Sequence, residues 1–358
     1  VKTGCKRGCR NVAVLVLVLL LVAAAAGAIL WQRYAAFTAQ ALDEVQAGAT
    51  VQVAPGDSFV TVLRKLRQSG VRHGSDLEWR LLARRLGADS SLKVGEYAVD
   101  PGMTPSVLLL RMREGKVISY RFTIVEGWNI RQLRTAINAA TPLLHQTDAL
   151  DDAELMALLG KPGQHPEGRF LPETYVYSRG DSDADLLRRA HAAMERALQE
   201  AWDSRAPGVP LQSPEDALIL ASIIEKETGI ASERAQIAGV FARRLKLGMR
   251  LQTDPTVIYG IGSAYDGNIR RRDLLTDTPY NTYTRAGLTP TPIAMPGIDA
   301  LRAAVNPAEG DALYFVAVGD GSGRHLFSAT LAEHNAAVAR YLQQLRQARM
   351  QQREASAQ

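Results

Sequence analysis

Residues 213–229 read SPEDALILASIIEKETG, and their pattern sets the architecture of the larger part of the chain. Ser213 suits a helix cap and Pro214 the first helical position, while Glu215 and Asp216 put negative charge beside the unpaired N–H groups of the first turn. The ALILASII that follows is apolar on every face, so the helix must be enclosed on nearly all sides. It runs straight into Glu225-Lys226-Glu227-Thr228-Gly229. Upstream, residues 185–202 alternate as an amphipathic helix; downstream, a helix runs from about Glu233 to Lys246, ended by Gly248, and LQTDPTVIYG opens a loop.

Working outward, Ile118, Tyr120, Phe122 and Ile124 alternate with polar residues, a half-buried strand that opens this domain and puts a boundary near Gly115–Lys116. Residues 162–180, PGQHPEGRFLPETYVYSRG, are turn-rich yet hold Phe170, Tyr175 and Tyr177, which either line a groove for sugar rings or pack the loop onto the core. ALYFVAVGDGSGRHLFS reads as a hairpin with its tip at Asp320–Gly323; this glycine-rich tip opens no helix and so is no phosphate loop. Thr330 with Glu333 fits a capping box for the last helix, which gives way to a disordered tail at 350–358.

Before the boundary, residues 51–116 have the pattern of a small α+β unit. Val51 and Val53 alternate, Pro55-Gly56-Asp57 turns the chain, and Val62, Leu63 and Leu66 recur at helical spacing up to Gly70. Further helices are expected over 76–86 and 107–112, with a short strand at 96–99. Residues 12–30 are an unbroken apolar run followed by Trp31 and Tyr34; nineteen residues reach roughly 28 Å, close to the hydrocarbon thickness. Lys2, Lys6, Arg7 and Arg10 precede it, so a membrane span at 12–31 with a cytoplasmic basic tail at 1–11 is expected, followed by a juxtamembrane linker at 32–50. A cleaved signal peptide is the competing reading, from Ala26-Gly27-Ala28, but the apolar run continues past it.

The same four basic residues account for four of the five net positive charges on the 358-residue chain, so no nucleic-acid-binding surface is indicated. Cys5 and Cys9 lie in the cytoplasmic tail, which leaves the exported part without a disulfide. The six histidines show no ligand spacing with acids or cysteines, and no metal or cofactor is expected.

Glu225 is the candidate acid, because a carboxyl set directly after a buried helical stretch is partly desolvated, which raises its pKa toward neutrality. The bland alternative pairs it with a Lys or Arg at the helix end. Glu227 lies roughly 200° away around the same helix and so cannot share a substrate face with Glu225. A hydrolase would need two carboxyl groups about 5–9.5 Å apart, the second from Asp254, Glu173 or Asp273, none of them singled out by spacing.

ASIIEKETGIASERAQIAGVFARRLKLGMRLQTDPTVIYG closely resembles the signature block of the MltG/YceG-like family of endolytic murein transglycosylases. EGRFLPETY, YNTYTRAGLTPTPIAMPGIDALRAAVNPAEGDALYFVA and HLFSATLAEHN carry the resemblance on, and VQVAPGDSFVTVLRKLRQSGV resembles the LysM-like subdomain that precedes the catalytic domain there. The resemblance implies an α+β fold: one N-terminal transmembrane helix, a LysM-like subdomain at 51–116 and a larger catalytic domain at 117–349. It also implies an inner-membrane protein with its catalytic domain in the periplasm, acting on peptidoglycan glycan strands, with peptidoglycan synthases as candidate partners. The first Glu of E-K-E-T, Glu225, would be the acid that cleaves the bond between N-acetylmuramic acid and N-acetylglucosamine, leaving a 1,6-anhydro end. Phe170 as a sugar platform, with Glu173, Gln252, Thr253, Asp254, Tyr280, Asn281 and Asn306, are the substrate-binding candidates carried over from matching motifs; each has a structural alternative such as an Asx turn or helix cap. The rival reading is a non-catalytic glycan-binding scaffold for cell-wall synthases.

Overall fold

The computed structural model describes residues 4–356, with side chains described for 11–347 and Met350. The basic tail therefore falls partly outside it, as do the side chains of Cys5 and Cys9. The chain divides into two compact units, Val1–Tyr120 with Ser178–Gly180, and Arg121–Tyr177 with Asp181–Gln358.

The first unit begins with α1 (Gly4–Ala39), whose stretch Asn11–Ala39 is long and apolar enough to cross a membrane. Its apolar side chains from Val12 to Trp31 are exposed, as a lipid-facing helix requires. The remainder runs β1 (Thr50–Val53), α2 (Phe59–Gln68), α3 (Asp76–Arg85), β2 (Gly95–Ala98) and α4 (Pro105–Glu114), with β1 and β2 antiparallel and Val51 opposite Tyr97. Ser58, Ser75 and Thr104 cap the three short helices, and α4 stops at Gly115 in the left-handed region (φ 73°), where a side chain would be strained.

The expected linker at 32–50 is instead folded. Phe37, Leu42 and Val45 are buried in the same core as Val62, Leu66, Trp79 and Leu109; Phe37 stacks on His73 and meets Trp79 edge-on, both at 5.5 Å between ring centres. A composition of Ala, Gln and Asp hid three anchors, each separated by polar residues, from a reading by periodicity.

In the second unit, β3 (Tyr120–Thr123) comes first, a shorter strand than the alternation predicts, followed by α5 (Ile130–Asn138), α6 (Asp152–Leu158) and β4 (Thr174–Tyr177), which pairs with β3. Then come α7 (Asp183–Asp203), α8 (Pro214–Glu227), α9 (Ala231–Lys246), α10 (Asp254–Ile261), α11 (Arg271–Leu275) and α12 (Ile298–Val305). The hairpin of β5 (Tyr314–Ala317) and β6 (His325–Ser328) and the helix α13 (Leu331–Ser356) complete it. Residues 350–356, expected to be disordered, continue α13, while 357–358 lie outside the described residues.

Helix α8 is the axis of this unit. Ser213 caps it by accepting from the Asp216 N–H at 3.2 Å, and Ala217–Ile224 are all buried, against α7, α9 and α12. The one polar residue among them, Ser222, donates to the Ile219 carbonyl (2.7 Å) and accepts from the Ile293 N–H (3.0 Å), which ties the 293–297 segment to the helix. Phe37→Ala should cost about 3–5 kcal/mol of first-unit stability, the usual penalty for truncating a buried aromatic. Hydrogen exchange on the full chain in detergent is the check, with faster exchange over 40–50 and 62–66 expected and no change along α8.

Candidate active site

The two glutamates at the end of α8 leave the helix in different directions and meet different surroundings. Glu225 Oε2 accepts from the Gly297 N–H at the start of α12 (3.0 Å), and Oε1 lies 3.8 Å from Arg234 Nη2. Arg234 is shared among three acids, reaching Glu126 at 3.7 Å and Asp299 at 3.6 Å. Burial pushes the Glu225 carboxyl up from its ordinary value and repulsion from Glu126 adds to that, while the Gly297 N–H and Arg234 pull it back. The basic residue beside Glu225, Arg234, belongs to α9 and not to the end of α8 itself.

Glu227 faces a cavity of about 470 Å³, lined by the 251–254 loop, Tyr283, Arg244, the β5 residues 314–316 and the first turns of α13. That volume is in the range of small-ligand sites. One carboxyl oxygen, Oε1, accepts a hydrogen bond from the Thr253 hydroxyl, and Oε2 has no hydrogen-bond partner among the described residues. Burial raises the Glu227 pKa to about 7; the Thr253 hydroxyl and His325 pull it down and the nearby Asp254 carboxylate pushes it up. A carboxyl that holds its proton near neutrality beside an open cavity has what a general acid needs.

The loop that meets Glu227 is set by a knot of threonines. Thr282 Oγ1 accepts from the Thr253 N–H (3.0 Å) and lies 2.9 Å from Thr256 Oγ1, which donates to the Thr253 carbonyl (2.8 Å). Gln252 takes a positive φ of 52°, unusual for a residue with a side chain, and its N–H donates to the Thr282 carbonyl. Asp254, the first residue of α10, accepts from the Tyr283 hydroxyl at 2.6 Å. The structure thus gathers Gln252, Thr253 and Asp254 around Glu227 in one cavity.

The other sequence candidates do not line it. Phe170 is fully buried and packs edge-on against His191 at 6.0 Å, so no sugar ring can reach it; as a platform it is corrected to a core residue. Tyr175 and Tyr177 are buried too, and the Tyr175 hydroxyl donates to the Leu171 carbonyl, so the aromatic loop packs down on the core. Asn281 is likewise corrected to a structural role: its amide donates to the carbonyls of Asp273, Leu274 and Thr276 and its oxygen accepts from the Tyr283 N–H, which leaves little capacity for substrate. Tyr280 pairs with Tyr259 (4.8 Å) and hydrogen-bonds Thr291, Asn306 ends α12, and Glu173 is exposed at the start of β4.

Sequence reasoning passed over Glu227, Tyr283 and Arg244. The signal for Glu227 was present in its position, two residues beyond Glu225 and hence on the other side of the same buried helix. A further buried acid, Glu167, also stands near pH 7 by burial, but it accepts from the Ile130 N–H and the Tyr259 hydroxyl and serves the start of α5.

Similarity to known proteins agrees with this architecture. The model of the YceG-like family matches residues 51–340. An endolytic murein transglycosylase of Bacillus subtilis is 31% identical over 305 residues, covering 80% of this chain and 83% of that protein. One of Streptococcus pneumoniae is 25% identical, with the match spanning 54% of that longer protein. A crystal structure of a YceG-like protein from Listeria monocytogenes superposes with a TM-score of 0.52 at 32% identity, over 80% of this chain and 98% of that one. With the family match running from β1 through the first turns of α13, the chain belongs to the YceG-like family.

Proposed function

We propose that this protein is a membrane-anchored endolytic peptidoglycan transglycosylase whose general acid is Glu227. The observation that carries the reading is a carboxyl with a pKa of about 7 opening on a cavity that also holds Gln252, Thr253 and Asp254. The relatives' activity supports the reaction class. The resemblance assigned the acid to Glu225, but that carboxyl is engaged by Arg234 and the Gly297 N–H, and it lines no part of this cavity.

The chemistry needs one carboxyl. Thr253 donates to Oε1, so the proton resides on Oε2 and passes to the glycosidic oxygen as the bond to the muramic acid C1 breaks. The resulting carboxylate then takes the proton of the muramic acid C6 hydroxyl as that oxygen attacks C1, which closes the 1,6-anhydro ring and regenerates the acid. No water is consumed. General acid help of this kind is worth about 10²–10⁴ in rate.

The span α1 continues without a break into the folded first unit, and anchoring the chain in a bilayer favours nascent strands as substrate. With the basic residues ahead of the span retained on the cytoplasmic side, the chain that follows the span faces the periplasm. The first unit's strand–helix–helix–strand order suits the LysM-like role of holding glycan, and synthases are candidate partners alongside it.

Asp254 in the same cavity favours a second reading, a hydrolase that activates water with this carboxylate. Product ends separate the two: uncrosslinked glycan strands incubated with the full chain in detergent should give anhydromuramyl ends, whereas a hydrolase gives reducing ends. Glu227→Gln should lower this activity by at least about 10²-fold while Glu225→Gln retains most of it. The reverse ranking returns the acid to Glu225, and unchanged strands with wild type leave the glycan-binding scaffold.

The elevated pKa gives two further expectations. Activity should fall as pH rises through about 7, because the acid form is then lost. In thermal melts, Glu227→Gln should be more stable than wild type at pH 8, where the buried carboxyl must ionise, and the gain should shrink toward pH 4, where both side chains are neutral.

A further inference from the structure

The cavity that holds Glu227 contains a cation that the proposed reaction does not use. Arg244, on α9, is 7% exposed and lines the cavity. Its Nε donates to the Leu313 carbonyl (2.6 Å) and Nη1 to the carbonyls of Leu251 (2.8 Å) and Arg250 (3.2 Å), and its guanidinium lies 5.0 Å over the Tyr314 ring. Among the described residues no carboxylate pairs with it and its Nη2 group donates to no protein acceptor. The same Tyr314 ring stacks on His334 at 5.1 Å, and the buried His334 Nδ1 also lacks a partner. A buried guanidinium with neutral neighbours is costly unless an anion completes it, and its planar fork matches a carboxylate.

We infer that Arg244 binds a carboxylate carried by the glycan strand while Glu227 engages the scissile bond. This rests on the glycan reading above and adds to it the chemical group that sets the substrate's position. Two sources supply that group: the free lactyl carboxylate of muramic acid stripped of its stem peptide, and the carboxylates of an intact stem. The three carbonyls hold Nε and Nη1, which fixes the guanidinium plane beside the 250–251 segment and leaves Nη2 for the ligand. Arg244 is therefore a specificity-determining residue and takes no part in proton transfer.

The test measures binding and cleavage separately, on the full chain in detergent. Calorimetric titrations use four probes: stem-free strands, stem-bearing strands, and each of these with its carboxylates converted to methyl amides. Wild type should bind one carboxylate form at least tenfold more tightly than its amide, and which form does so identifies the source. Arg244→Gln should abolish that ratio while binding the amides as wild type does, and Arg244→Lys, which keeps the charge without the fork, should recover part of it. Equal affinity of wild type for acid and amide forms of both strands overturns the inference, and this comparison needs no variant to fold. A carboxylate preference that survives Arg244→Gln overturns it as well. Carboxylate-selective, Arg244-dependent binding without cleavage sinks the transglycosylase reading and leaves this one standing.

Discussion

The enclosure of α8 is the constraint on which the second unit depends. Eight consecutive residues without an exposed face leave the helix no freedom to rotate, so its last turn delivers each side chain to a set environment. Glu225 is carried to the start of α12 and into the Arg234 network, and Glu227 to the cavity under the 251–254 loop. Two carboxyls two residues apart thus differ in what they can do. One has an N–H donor and a guanidinium beside it, and the other has a hydroxyl, an acid and open space.

The threonine knot is the second half of this device. A loop carrying Gln252, Thr253 and Asp254 would be mobile on composition alone, but Thr282 and Thr256 hold its backbone from both sides, and Asn281 secures the turn that presents Thr282 and Tyr283. Polar residues that looked like substrate contacts therefore sort into two tasks. Asn281 spends its hydrogen bonds on the backbone, so that Thr253 can spend its hydroxyl on Glu227. Arg244 bridges the tasks, with two nitrogens holding carbonyls and one left over in the cavity.

In the first unit, continuity between the span and the core has a mechanical meaning. Phe37, six residues past Trp31 on the same helix, is locked between His73 and Trp79, so the orientation of α1 is coupled to this unit by packing. With α1 in a bilayer, such packing would limit where the unit can travel far more than a flexible linker would.

Much of this was legible in the linear chain because it rests on local rules. The apolar run of α1, the Ser213-Pro214 start of α8, the hairpin around Asp320–Gly323 and the capping box at Thr330 all follow from hydrophobic period, capping chemistry and turn residues. That a buried helix ended in two acids on opposite sides was equally readable. Which acid faced a cavity was not, because Arg234, Gly297 and Thr253 are 9, 72 and 26 residues from their glutamates, and only the packing of α9, α12 and the 251–254 loop around α8 brings them to it. Phe170 shows the same limit, since an aromatic in a turn-rich segment is identical on paper whether it lines a groove or fills the core. Local sequence specified the elements and the chemistry available at their ends; the environment of each carboxyl, and with it its pKa and access to a ligand, came from contacts distant in the chain.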